Sequence, residues 1–221
     1  MSVKFPRVAS LPGPGALRRL AASLDVTLPC DDAPLAAPVS PLARPLALPG
    51  PAGAAALQAA NRFVIQPMEG WDGTADGLPT GLTERRWRAF GRSGAGLVWG
   101  GEAVAVRRDG RANPNQLVID EGTAPALGRL RRALEDEAGP ATPVVGLQLT
   151  HSGRWSRPDA GGPAPRIAFR HPILDRRVGV SGDAACLSDD EMRDLVACLA
   201  RAARLAPKEG AACADVKHRH G

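Results

Sequence analysis

The sequence predicts an α/β protein built on a parallel sheet, and three observations carry that expectation. Short apolar runs without polar alternation recur at 62–65, 94–99, 144–149 and 212–216, as in strands covered on both faces. Amphipathic stretches with helical spacing lie between them. Each apolar run also ends in a chemically loaded segment: Gln66-Pro67-Met68-Glu69, Gly100-Gly101-Glu102-Ala103, Gln148 to Arg154, and Lys217-His218-Arg219-His220. The rhythm alone fits half of an eight-stranded barrel or a small open sheet. The loaded strand ends favour the barrel, where reactive groups gather at the C-terminal ends of strands.

Residues 1–55 hold roughly half of the 21 prolines and read as a Pro/Ala-rich N-terminal extension. Each proline removes a backbone donor, so neither a long helix nor a central strand is expected there. A short helix near 16–24 is the exception, with Leu17, Leu20 and Leu24 at helical spacing. Residues 56–221 carry the barrel-like pattern. After the strand at 62–65, Thr83 is placed to cap a helix over 84–90 that turns Trp87 and Phe90 to one side. The strand at 94–99 follows, then a helix over 125–138 with Leu127, Leu130 and Leu134 on its apolar face. After the strand at 144–149 comes an irregular excursion of about 35 residues. Ser188-Asp189-Asp190-Glu191 then forms a capping box with acidic residues in the first turn. Met192, Leu195, Val196 and Leu199 line the helix it opens, which Pro207 is expected to end early.

Composition narrows the function classes. The net charge is +5 across 221 residues, yet lysine occurs only at Lys4, Lys208 and Lys217. The arginines are scattered among alanine, glycine and acidic residues, form no basic stripe and alternate with no stacking aromatics, so no nucleic-acid partner is expected. No run approaches the roughly 18 apolar residues of a membrane span, and the N-terminus has no signal-peptide core. A cytoplasmic protein without a membrane partner is the default. Cys30, Cys186, Cys198 and Cys213 lie too far apart for a zinc site and read as free thiols, so no metal is expected.

The tips of the strands carry a more specific signal. Asn61-Arg62-Phe63-Val64-Ile65-Gln66-Pro67-Met68, the Asp72-Gly73 to Pro79-Thr80 loop, Gly94-Ala95-Gly96-Leu97 leading to Glu102-Ala103, Gly110-Arg111-Ala112-Asn113-Pro114-Asn115-Gln116, Leu147 to Arg154 and Asp215 to Gly221 occur in that order. Together this set resembles the N-terminal half of the Old Yellow Enzyme-like NADH:flavin oxidoreductases, in a branch where lysine replaces the first histidine of a His-x-x-His. The resemblance implies a (β/α)8 TIM barrel truncated after about its fourth strand. It also implies FMN as cofactor, NADH or NADPH as reductant, and hydride transfer to an electron-poor alkene or related small-molecule acceptor.

By the same resemblance, Pro67, Met68 and Ala103 would shape the flavin site and Gln148 would bond the pyrimidine edge of the ring. Lys217 and His220 would hold the substrate carbonyl oxygen and stabilise charge developing there. The family's proton-donating tyrosine follows His-Gly, and this sequence contains no tyrosine. The sequence is therefore expected to stop inside its own active site and, alone, to bind FMN weakly or not at all.

Plainer roles stand beside these. Gln148 could be a bonded core residue, His151 could hold the loop that follows it, His171 reads as an ordinary loop histidine, and Lys217 with His220 could be a solvated tail. His218 is expected on the face opposite its strand neighbours. Glu69, Glu102 and Trp71 lie near the expected mouth without a role. A non-catalytic half-barrel that pairs with another chain is the alternative function, and homo-oligomerisation is left open.

Overall fold

The computed structural model describes residues 6–50 and 55–218. The chain divides into two compact units between Ala43 and Arg44. In the first, helix α1 (Pro14–Ser23) begins with proline at its first position, where the missing N–H costs nothing. Arg18 donates to the Cys30 carbonyl at 2.6 Å and pairs with Asp32.

The second unit opens with an antiparallel pair that the proline content obscured, β1 (Leu46–Leu48) and β2 (Leu57–Ala59). Pro45 and Pro49 bracket β1 without entering it, so its three residues keep their donors. Next come β3 (Val64–Ile65), α2 (Gly81–Arg92), β4 (Leu97–Val98), β5 (Ala103–Ala105) and α3 (Ala124–Ala138). They are followed by β6 (Val144–Thr150), α4 (Leu174–Val178), α5 (Asp189–Lys208) and β7 (Cys213–Val216).

β3 pairs in parallel with β4, both β4 and β5 pair in parallel with β6, and β6 pairs in parallel with β7. Since β4 and β5 are consecutive in the chain and both pair with β6, they form one ladder line interrupted at Gly100-Gly101. Gly100 requires glycine twice over: its φ is +61°, and a Cβ there would lie 2.6 Å from the Gln148 nitrogen. With that break bridged, the sheet contains four successive parallel strands in chain order, joined through helices. This is the order of a β/α barrel, and it matches the fold class expected from the sequence.

Strand alternation sorts the side chains. Val145, Leu147 and Leu149 of β6 join Val98, Trp87, Leu127, Leu130, Leu134, Cys198, Ala202 and Ala206 in a core between sheet and helices. Helices α2 and α3 approach closely at Gly91, where a Cβ would lie 2.2 Å from the Leu134 carbonyl oxygen.

Three local expectations change. The cap of α2 is Thr80: its hydroxyl accepts from Leu82 N at 3.2 Å, while the buried Thr83 turns its hydroxyl to the Asp72 carbonyl at 3.0 Å. Helix α5 starts at the Ser188–Glu191 capping box as expected, but it runs through Pro207 to Lys208. Proline is tolerated there because termination is set two residues later. Gly210 has φ +85°, and the N–H groups of Glu209, Gly210 and Ala211 take up the last carbonyls. The long excursion is also less irregular than its sequence. Buried Arg154 pairs with buried Asp175 of α4 and donates to the Phe169 carbonyl at 2.7 Å, pinning the segment.

A second buried charge group ties the loop after β3 to α2. Arg86 donates to both carboxylate oxygens of Asp72, each at 2.9 Å, and to Glu102 at 2.7 Å. The other oxygen of fully buried Glu102 accepts from Gly70 N at 2.7 Å. Burial raises the Glu102 pKa despite Arg86, and burial likewise opposes ionisation of Asp72, where Arg86 wins and holds the carboxyl low. Removing one partner of such a group strands a buried charge, so Arg86→Ala is expected to cost about 3–5 kcal/mol in urea unfolding. Arg86→Ala combined with Glu102→Leu is expected to recover most of that loss; equal stability of the single variant and the parent would show that the group carries no weight.

Candidate functional site

The C-terminal ends of the strands form a continuous hydrogen-bonded line. The Met68 carbonyl accepts from Ala103 N at 3.0 Å, Ala103 stands in register with Gln148, and Gln148 with Asp215. One residue pair further along, Lys217 N donates to the Leu149 carbonyl at 3.0 Å. Pro67, Met68, Ala103, Gln148 and Lys217 are thus brought to one end of the sheet. Ala103 is buried, Pro67, Gln148 and Lys217 are half-buried, and Met68 is 60% exposed. His220 lies outside the described residues.

The line rests on a loop whose buried polar residues are bonded to backbone. Gln116 donates to the Ala103 carbonyl at 2.7 Å and accepts from Ala112 N at 2.6 Å. Asn113 donates to the Gly70 carbonyl at 3.2 Å. Arg111 reaches the Ala75 and Pro114 carbonyls at 2.7 and 2.9 Å. The Gly110–Gln116 motif therefore supports the site from behind.

Three side chains join the site that the sequence left without a role. Asp215 accepts from Gln148 Nε2 at 2.7 Å and from Trp99 Nε1 at 3.3 Å, both on Oδ2. Glu69 pairs with Lys217 at 2.7 Å, linking the loop after β3 to the end of β7. The sequence did hold a signal for Asp215. It is the one charged residue in the apolar strand Ala212–Val216, two positions before Lys217 and so on the same face. The Glu69 pairing spans 148 residues and left no local trace. Glu102 belongs to the buried group with Arg86, and Trp71 is exposed.

The histidines separate by role. His171 Nδ1 accepts from Ile173 N and Leu174 N at 3.3 and 3.2 Å, opening α4. His151 Nδ1 accepts from Gly153 N at 3.1 Å, holding the loop that follows. His151 and His218 line a cavity of about 300 Å³ with Arg166, Leu195, Leu199 and Lys217. Beside it, His151 Nε2 stands 3.8 Å from Asp109, and Arg107 makes a two-pronged pair with that carboxylate at 3.0 and 2.8 Å. His151 and then Arg107 hold the Asp109 pKa down at about 2 against the cost of burial. Among the described residues no group of His, Cys, Asp and Glu could hold a metal, and no helix is long and apolar enough to cross a membrane.

A parallel β/α sheet with polar groups gathered at its C-terminal edge defines the class as part of a β/α barrel. Solved structures with the same fold include an Old Yellow Enzyme homologue from Zymomonas mobilis, 24% identical, with a TM-score of 0.59 over 79% of this chain and 47% of that one. Morphinone reductase is 21% identical, with a TM-score of 0.59 over 79% of this chain and 47% of its own. The Old Yellow Enzyme from Trypanosoma cruzi is 23% identical, with a TM-score of 0.56 over 80% of this chain and 50% of its own. The chain spans about half the length of these structures and has their fold over that half. No protein-family profile and no curated protein matches it.

The depressed Asp109 pKa has a direct consequence for acid stability. A folded-state pKa of about 2 against an ordinary 3.8 adds stability that is complete above about pH 4 and lost as pH falls toward 2. The stability gap between the parent and Asp109→Asn in urea unfolding is therefore expected to shrink over that window. A gap that stays constant across it would rule out this role for the carboxylate.

Proposed function

We propose that this chain supplies the flavin-facing part of an FMN-dependent NAD(P)H oxidoreductase of the ene-reductase type. The observation that supports it is the bonded line from Met68 through Ala103 and Gln148 toward Lys217. It joins an exposed thioether and backbone, a side-chain amide and a cation at the C-terminal edge of a barrel-type sheet. This donor set suits the ring portion of a flavin. Pro67, Met68 and Ala103 offer close-packed backbone, and Gln148 offers an amide to the alternating donors and acceptors of the pyrimidine edge. When bound, FMN would supply hydride transfer between NADH or NADPH and an electron-poor alkene. Lys217 would bind the carbonyl oxygen of that substrate and stabilise negative charge as it develops. To do so its ammonium must exchange the Glu69 carboxylate for the substrate oxygen, which sets Glu69 as the competitor at this position. His220 would share the oxygen with Lys217.

Titrating FMN with the 221-residue chain and following flavin fluorescence tests the cofactor half of this reading. Saturable quenching is expected, of low affinity, and weakened about tenfold by Gln148→Ala, the loss of roughly one hydrogen bond in a partly buried site. With FMN, NADPH or NADH and 2-cyclohexenone present, Lys217→Ala is expected to slow alkene reduction while FMN binding is kept. Absence of saturable quenching by the parent chain would sink the proposal.

A second reading is a half-barrel that acts by pairing with another chain. In its favour, the outer strands β3 and β7 each have a single strand neighbour among the described residues, and Val196 on α5 is 63% exposed. Sedimentation velocity separates the outcomes: a discrete dimer supports pairing, and a monomer or a broad aggregate distribution counts against it.

A further inference from the structure

We infer that Asp215 is a positioning residue: it fixes the orientation of the Gln148 amide and thereby makes the site select ligands that present a ring N–H to Gln148 Oε1. The inference rests on the proposal that Gln148 faces a flavin-type ring, and it adds a residue and a chemical criterion to that site.

The geometry carries it. Gln148 and Asp215 are register partners on β6 and β7, so their side chains rise from the same face of the sheet. A carboxylate only accepts, so the amide nitrogen is the group that must face it; turning the amide over would set two acceptor oxygens 2.7 Å apart. The Trp99 indole, which can only donate, reaches the same Oδ2 at 3.3 Å from the end of β4, across β6 from Asp215. Its approach fixes the carboxylate in turn, and β4, β6 and β7 hold the three groups on a rigid ladder. With Nε2 engaged, Oε1 is the amide atom without a protein donor among the described residues. An acceptor in that place pairs with an N–H such as that of a cyclic imide, as in the uracil-like edge of an isoalloxazine. It repels an alkylated nitrogen by sterics and by the loss of the donor. An amide free to rotate would present either group, and the discrimination would vanish.

Two measurements on the full 221-residue chain test this. In the first, ¹⁵N-correlated NMR follows the Gln148 side-chain amide and the Trp99 indole N–H without any ligand. Asp215→Ala is expected to move both signals and to speed exchange of the Gln148 amide protons, and Asp215→Glu to restore the slow exchange. Unmoved Gln148 signals in Asp215→Ala would overturn the positioning role. The second measurement compares fluorescence titrations with FMN and N3-methyl-FMN. The parent is expected to prefer FMN about tenfold, the worth of one hydrogen bond at such a site. Asp215→Ala is expected to bring the two within about twofold, and Trp99→Phe, which removes only the second support of the carboxylate, is expected to narrow the preference by less. A merely structural Asp215 would weaken both flavins alike and leave their ratio unchanged, which would refute the selection. If neither flavin binds the parent, the flavin reading itself and the selection both fail, and the ligand-free amide signals still decide whether Asp215 orients Gln148.

Discussion

The hydrogen-bond ladder along β6 is the constraint on which the rest of the unit depends. Its seven residues are enough to carry β4 and β5 on one edge and β7 on the other, while every neighbour has four residues or fewer. Parallel ladders tolerate such short strands only when both faces are covered. Here the helix side is covered by the aliphatic and Trp87 core, and alternation along β6 sends Gln148 to the opposite side. Register then follows from burial. A slip by one residue would push Gln148 into the apolar core and turn Leu147 and Leu149 out of it.

Charge is divided between two duties. Arg86 with Asp72 and Glu102, and Arg154 with Asp175, are buried groups that anchor the loops after β3 and after β6. These pairs gain little net stability against hydrophobic packing, but each makes one loop path far better than its alternatives, since any other path leaves a buried charge unpaired. Lys217 with Glu69, and Asp215 with Gln148, stand instead at the C-terminal ends of the strands, and neither Lys217 nor Glu69 is fully buried as Glu102, Arg154 and Asp175 are. Glu69 can therefore release Lys217 to solvent, whereas fully buried Glu102 would be stranded by the loss of Arg86. That arrangement allows a polar site to change partners while the backbone beneath it stays fixed.

Much of this was legible in the sequence because the signals are local. Strand and helix positions follow from apolar periodicity, the start of α5 from Ser188 and Glu191, and the loop roles of His151 and His171 from their immediate neighbours. The misplacements are equally physical. Thr80 and Thr83 are both able to cap, and the choice between them depends on Asp72, eleven residues before Thr83, drawing Thr83 inward. Pro207 reads as a helix breaker, yet it stands where the helix is already being closed by Gly210. The β1–β2 hairpin lay hidden among prolines that flank its strands without interrupting them.

The sequence by itself determined the parallel β/α class and the loaded strand ends, since these rest on residue type and spacing along a few turns of chain, while its resemblance to a known family supplied the candidates Pro67, Met68, Ala103, Gln148, Lys217 and His220. Only the tertiary structure decided which of those candidates are bonded to partners: Gln148 to Asp215, which Trp99 holds in turn, and Lys217 to Glu69. Asp215 is 67 residues from Gln148, Trp99 is 116 residues from the Asp215 carboxylate it donates to, and Glu69 is 148 residues from Lys217. No local pattern encodes such pairings, because they arise when the sheet register places distant strand ends side by side.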